Sequence, residues 1–295
     1  MSSAQFTARA KSVALRRAES RDVEPCGRIC YEAFRRIAEK HKFPPDFPSP
    51  EVGISVIGML FSNPGFYCIV AESEGRIVGS NCLDERCAIS GLGPITIDPA
   101  VQDSGIGRRL MQAVIEHSDQ RTFPGVRLVQ AAYHMRSLSL YTKFGFASRE
   151  QLAVMGGFPL DAAMKRYQVR PLIEADLPVC NQLCTYIHGF HRGGELQQAI
   201  AANSAFVAER DGAIRAYTSG LGYFGHSIGE TTESICALLA LAPHMPSLGV
   251  LIPTRNYALF HWCLNHGMRT VMTMTLMTRG IYQDPNGPYL PSILY

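Results

Sequence analysis

The stretch Ile95-Thr96-Ile97-Asp98-Pro99-Ala100-Val101-Gln102-Asp103-Ser104-Gly105-Ile106-Gly107-Arg108-Arg109-Leu110 decides the reading of this chain. It opens as a β-strand that ends at Asp98-Pro99, since a proline removes a ladder donor. A short loop with two glycines then runs into Gly105–Ser118, whose apolar spacing predicts an amphipathic helix. Gly105 and Gly107 remove side chains where backbone N–H groups must turn toward a ligand. The first turn of a helix leaves four N–H groups unpaired and carries a partial positive charge, which suits a diphosphate. Arg108 and Arg109 sit at the same end and add charge-assisted contacts.

Working outward, Val13–Arg17 reads as a strand and Arg21–Lys40 as a helix with Val23, Cys26, Ile29, Cys30, Phe34 and Ile37 at helical spacing. A Pro-rich bend at Phe43–Pro48 precedes a helix around Glu51–Phe61. Phe66–Glu72 and Arg76–Leu83 are expected strands joined by Ser73-Glu74-Gly75, and Ala88–Ile97 is expected as one more strand. After the glycine loop and its helix come a strand at Arg127–Tyr133 and a helix at Ser137–Phe144 closed by Gly145. This order predicts an α/β chain with a mixed sheet.

The order is then repeated. Arg16, Asp22, Cys26 and Cys30 recur as Arg170, Asp176, Cys180 and Cys184, at an offset of 154. Val70-Ala71-Glu72 recurs as Val207-Ala208-Glu209 at 137, and Gly145 as Gly267 at 122. The shrinking offset predicts a second, trimmed copy of the same supersecondary unit. Two units are expected, 1–155 and 166–295, with a linker near Gly156-Gly157-Phe158-Pro159.

The glycine loop, with its strand and helix, resembles the acetyl-CoA motif of the GNAT superfamily of N-acetyltransferases. The resemblance is specific over residues 66–147 and general over the second half, so it implies a tandem GNAT arrangement with a degenerate C-terminal copy. It implies that the amides of Gln102, Asp103, Ser104, Gly105, Ile106 and Gly107, with Arg108, hold the CoA diphosphate. It implies that the backbone of Ile95, Thr96 and Ile97 pairs with the pantetheine arm. The spacing of Tyr141 and Gly145-Phe146 also fits the family, with His134 standing where members usually carry Asn. Tyr141 is the implied acid that protonates the leaving thiolate. In the second copy Asn256 and Gly267 keep the spacing, but Cys263 stands at the Tyr position.

The implied activity is transfer of acetyl from acetyl-CoA to a primary amine of a small molecule, by direct attack in a ternary complex. The alternative is a CoA-binding sensor or pseudoenzyme without turnover. The strand before the motif, Ser90–Pro94, lacks the carboxylate that many members use as base, so Asp46, Asp84, Glu85, His134 or a water chain remain open for that role.

Composition excludes other classes. A net charge of +3 without Lys/Arg runs argues against a nucleic-acid groove, and no apolar run is long enough for a membrane span. Met1–Phe6 lacks a signal-peptide core. Nine unpatterned cysteines in a chain of 295 residues are expected as buried, reduced thiols of a cytoplasmic protein. A homodimer stays open. Gly220-Leu221-Gly222-Tyr223-Phe224-Gly225 spells a dinucleotide motif but lacks the helix that should follow. Cys184, His188 and His191 lack a fourth zinc ligand, and no metal is expected. Glu230 and Glu233 stand where the second copy would need its phosphate loop.

Overall fold

The computed structural model describes residues 13–157, 159, 162, 164–241 and 249–295. Met1–Phe6 and Phe158 of the expected linker lie outside them. The first half runs β1 (Val13–Arg17), α1 (Val23–Lys40), α2 (Pro50–Ser62), β2 (Phe66–Ser73), β3 (Arg76–Asp84), β4 (Ser90–Leu92), β5 (Thr96–Ile97), α3 (Ile106–Gln120), β6 (Gly125–Ala131), α4 (Met135–Lys143) and β7 (Ala147–Gly156). The second half repeats it as β8 (Gln168–Pro171), α5 (Leu177–His188), α6 (Gly193–Ala201), β9 (Phe206–Arg210), β10 (Ala213–Thr218), β11 (Ser227–Gly229), α7 (Thr232–Leu239), β12 (Val250–Pro253), α8 (Tyr257–Asn265) and β13 (Arg269–Gly280). A final short strand, β14 (Tyr289–Leu290), has no counterpart in the first half.

The internal repeat is visible as chemistry. Arg16 grips both carboxylate oxygens of Asp22 at 2.6 and 2.8 Å and reaches Glu72 at 3.0 Å. Arg170 does the same to Asp176 at 2.6 and 2.9 Å and to Glu209 at 2.6 Å. Each aspartate also accepts the backbone N–H three residues before it, so one carboxylate ties the first strand of its half to the helix that follows.

The two halves share one sheet. Its order is β1-β2-β3-β4-β6-β13-β7-β12, with β5 beside β3. Both β7 and β13 end their halves, yet β13 lies between β6 and β7, and β7 lies between β13 and β12. Each half's last strand is therefore built into the other half's sheet. The remaining strands of the second half form β14-β11-β10-β9-β8. Leu110, Met111 and Val114 of α3 pack on Val78, Leu83 and Leu128, and α7 makes the corresponding core in the second half with Ile235 and Leu238.

Two expectations are corrected. The strand expected over Ala88–Ile97 is broken into β4 and β5, because Pro94 lacks an N–H and Gly93 takes a φ of +135° that no continuous ladder accommodates. β4 pairs with β3 and, in parallel, with β6, whereas β5 pairs with β3 alone. Cysteines were expected reduced throughout; Cys68 and Cys82, opposite each other on β2 and β3 with Cα atoms 4.2 Å apart, are joined as a disulfide. The seven other cysteines are free, six of them buried. No helix among the described residues is long and apolar enough to cross a membrane.

Arg16 holds the Asp22 carboxyl below its usual range. A depressed carboxyl stabilises the fold above its unfolded value of about 4, and that contribution fades as pH falls through the folded value. Asp22→Asn should therefore lose on the order of 2–3 kcal/mol at pH 7 in urea denaturation. The gap between variant and wild type should close as pH falls below about 4.

Candidate active site

The break between β4 and β5 opens a slot. Gly91 of β4 still sits opposite Arg127 of β6, but further along β5 diverges and Leu128–Ala131 of β6 have strand partners only on the β13 side. Asp98 donates its N–H to Val78 of β3 at 2.9 Å. Alternation along the ladder then turns the N–H and C=O of Ile97 the other way, toward the slot. Ile95, Thr96 and Ile97 thus offer an unpaired strand edge, and Thr96 is held from behind by the Ser80 hydroxyl at 3.2 Å.

At the mouth of the slot stands the start of α3. Its N-cap is Gly105, at φ +83°, which supplies no side-chain acceptor to the first turn. The amides of Ile106, Gly107 and Arg108 are left without an intrahelical partner. Around them the loop is self-supporting. Asp98 caps Ala100 at 2.9 Å, the Ser104 hydroxyl donates to the Val101 carbonyl at 2.6 Å, and Gln102 reaches the Ile97 carbonyl at 3.5 Å. Asp103 is paired with Arg136 at 2.7 Å, which offsets part of its repulsion for an incoming phosphate. A Cβ on Gly107 would lie 3.5 Å from the Ile97 side chain, so any residue larger than glycine projects into the slot.

The slot is one arm of a cavity of about 1090 Å³, which brings together Ile95–Ile97, Gln102, Asp103, Gly105–Arg108, His134 and Tyr141; Ser104 is not part of its lining. Tyr141 on α4 is buried, and burial raises its phenol to about 12 against the opposing pull of Ser137. It keeps its proton at neutral pH and can give it up only to a strongly basic neighbour. His134 caps the start of α4 and has its Nδ1 2.7 Å from the Ser137 hydroxyl. Burial, then Arg136, His41 and Lys40, push it down to about 4, so it is a neutral imidazole of low basicity.

The candidate bases separate cleanly. Asp84 is bound through both oxygens by Arg86, and Glu85 by His117 at 2.9 Å, and neither lines the cavity. Asp46 does line it, without a salt-bridge partner among the described residues, and burial raises it to about 6. Burial, and after it the Asp46 charge, raises the phenols of Tyr133 and Tyr223, which line the same cavity.

The second arm of the cavity was not foreseen residue by residue. Gln130 and Tyr133 line it with buried polar atoms that have no hydrogen-bond partner among the described residues. A polar Gln in the otherwise apolar run Leu128–Ala131 was the available sequence signal. Tyr223 and Phe224 arrive from the second half on the glycine-rich turn Gly220–Gly225, where a Cβ on Gly225 would strike the Gly220 carbonyl at 1.6 Å. That turn carries the formal dinucleotide motif; closeness of backbone accounts for Gly225 and a φ of +119° for Gly222. Ile293 and Leu294 of the tail complete the wall.

In the second half the equivalent strand edge is taken. β14 pairs with β11, and Gly229 donates to the Pro288 carbonyl at 3.1 Å, so the tail occupies the edge that β5 leaves open in the first half. The start of α7 is capped by Thr231, which accepts from the Ser234 amide at 3.3 Å, and Glu230 stands beside it, paired with Arg215. This copy has neither the open edge nor the uncapped helix.

Comparison with known proteins agrees with this geometry. Residues 30–146 match the model of the acetyltransferase (GNAT) family. Over 64 residues the chain is 38% identical to the mycothiol acetyltransferase of Nocardia farcinica, a match that spans only 21% of that relative's length. A protein of Pyrococcus horikoshii assigned as an acetyltransferase superposes with a TM-score of 0.71 at 17% identity, covering 91% of this chain and 89% of its own. A GCN5-related N-acetyltransferase of Sphaerobacter thermophilus gives 0.61 at 13% identity over 92% of this chain and 96% of its own. A tandem GNAT protein from the clavulanic acid biosynthesis pathway gives 0.56 at 13% identity over 91% and 98%. The chain has the tandem GNAT fold, with its C-terminal copy degenerate.

Gly105→Val would force a β-branched residue to a positive φ at the helix start. Calorimetric affinity for coenzyme A should fall at least about tenfold, the equivalent of about 1.4 kcal/mol. Thr231→Val at the corresponding helix start of the second half should leave that affinity unchanged.

Proposed function

We propose, on the premise that residues 30–146 belong to the acetyltransferase (GNAT) family, that this chain transfers the acetyl group of acetyl-CoA to an amine held in the second arm of the cavity. The observation that carries the reading is a single cavity joining the open edge of β5, the uncapped start of α3, a protonated phenol and an unpaired carboxylate. In this reading the loop from Gln102 to Gly107, with Arg108, grips the diphosphate, and Ile95–Ile97 pair with the pantetheine amides. The acetyl thioester then lies between Ile97 and Tyr141.

The amine reaches this point as an ammonium and has no lone pair until it loses a proton. Asp46 takes that proton. With its carboxyl raised to about 6 it is ionised at neutral pH and is a stronger base than His134 at about 4. The amine attacks the thioester carbonyl, and the oxyanion is met by the Ile97 N–H. Collapse breaks the C–S bond, and the thiolate takes the Tyr141 proton. His134 acts as a positioning residue that fixes Ser137 beside that phenol. The acceptor is a small molecule, since Tyr223, Phe224, Ile293 and Leu294 wall the second arm. It also carries a polar group that meets Gln130 and Tyr133, because unpartnered buried polar atoms are costly without one.

The test is release of CoA thiol in the presence of a panel of small amines. Tyr141→Phe should lower kcat by about two orders of magnitude with the acetyl-CoA affinity unchanged. Asp46→Asn should lower kcat/KM by about 10²–10⁴-fold. In the wild type, kcat/KM should fall as pH drops through about 6, because the base is then protonated, and Asp46→Asn should lose that limb. Binding of acetyl-CoA with no thiol release from any amine would return the chain to a sensor.

A further inference from the structure

We propose that the seam between the two halves holds a small monovalent anion, of chloride size, at Arg127. This site lies outside the acetyl-transfer cavity and does not depend on the reading of that cavity.

Arg127 lies on β6 and is 2% exposed. Its faces are well covered: the guanidinium carbon lies 4.8 Å from the Phe190 ring, 4.4 Å from Tyr295 and 5.3 Å from Tyr282. Ring faces answer only the faces of the cation. The five N–H groups lie in the guanidinium plane and need acceptors at its edge. Arg127 has no salt bridge among the described residues, and its Nε is buried with no hydrogen-bond partner. A buried guanidinium without an anion is an arrangement that proteins almost never keep.

The surroundings do not supply that anion. Arg192 is equally buried and stands 4.9 Å from the same Tyr295 ring. Glu195 is already committed, accepting from Arg192 and from the Ser219 hydroxyl at 2.6 Å. Two guanidiniums against one carboxylate leave this cluster with one uncompensated positive charge. Glu150 and Arg255, further out, neutralise each other at 2.8 Å. Burial, and after it the charge of Arg192, lowers the pKa of Arg127 to about 10, in keeping with a cation that lacks a counter-ion.

The unpaired groups of the cluster are donors almost without exception. Among the described residues, Arg192 Nη1 and the hydroxyls of Tyr282 and Tyr295 are buried with no hydrogen-bond partner. His188 and His226 face each other with Nε2 atoms 3.2 Å apart, and both Nδ1 atoms are unpartnered. Both rings are kept neutral by burial and by the arginines, so one must donate through Nε2 and the other accept. That leaves one Nδ1–H donor and one bare Nδ1. A ring of donors with one net positive charge is complementary to an anion. It is a poor site for a cation or for an apolar ligand. The elements that meet there are β6 of the first half, the 188–195 segment and the residues after β13 of the second, so the ion would pin the interlocked halves together.

Two measurements on the full wild-type chain decide this. Crystals grown in sodium bromide should show an anomalous bromine peak within hydrogen-bonding distance of Arg127. Exchange of gluconate for chloride at constant ionic strength should raise Tm by about 3 °C or more, and Arg127→Met should abolish that response. Water in place of the peak, an equal Tm in the two salts, or an Arg127→Met variant that keeps the full response would each overturn the proposal. A bromine peak without any thermal response would mean an adventitious ion only, and would overturn it too.

Discussion

Everything in the proposed site depends on main-chain groups left unpaired at one point of the shared sheet. Gly93 and Pro94 stop the ladder between β4 and β5, so the strands beside β6 part instead of closing. Unpaired amides and carbonyls away from bulk water are costly, and a folded chain must give them partners. In the proposed function the partner is a ligand that carries amides along its arm and negative charge at its end. Gly105 extends the same logic to the helix start, because a residue with a side-chain oxygen would have capped α3 for itself.

The second half is an internal control for this argument. It has the same order of strands and helices, the same arginine–aspartate–glutamate tie, and the same place for a slot. Yet β14 fills the edge, and Thr231 caps the helix. The chain satisfies in one half with its own tail what it leaves open in the other. The tail then continues into the first half, where Leu294 packs so closely that a Cβ on Gly91 would meet its carbonyl at 1.9 Å. The second half is thus part of the cavity wall, through Tyr223, Phe224, Ile293 and Leu294.

Much of this was readable in the residues. The glycine loop announced both the strand before it and the helix after it, because glycines flanked by β-formers and an apolar helical pattern have few other uses. The repeated Arg, Asp and Glu announced the duplication, because a buried ion pair must keep its members at fixed structural places. Pro94 was a local sign of the strand break, but the disulfide and the exchange of β7 and β13 were not readable. Each depends on contacts between segments far apart in the chain, and periodicity speaks only of neighbours. Asp46 shows the limit for function. In sequence it is one carboxylate in a proline-rich bend, and only the fold reveals that it is half-buried on the cavity wall with no salt-bridge partner among the described residues.

Hydrogen exchange of the amides on binding acetyl-CoA tests the central claim most directly. The account predicts strong slowing at Ile97 and from Gln102 to Arg108, with no change from Gly229 to Ser234 at the equivalent place in the second half. Slowing confined to the second half, or none at either glycine loop or strand edge, would contradict it.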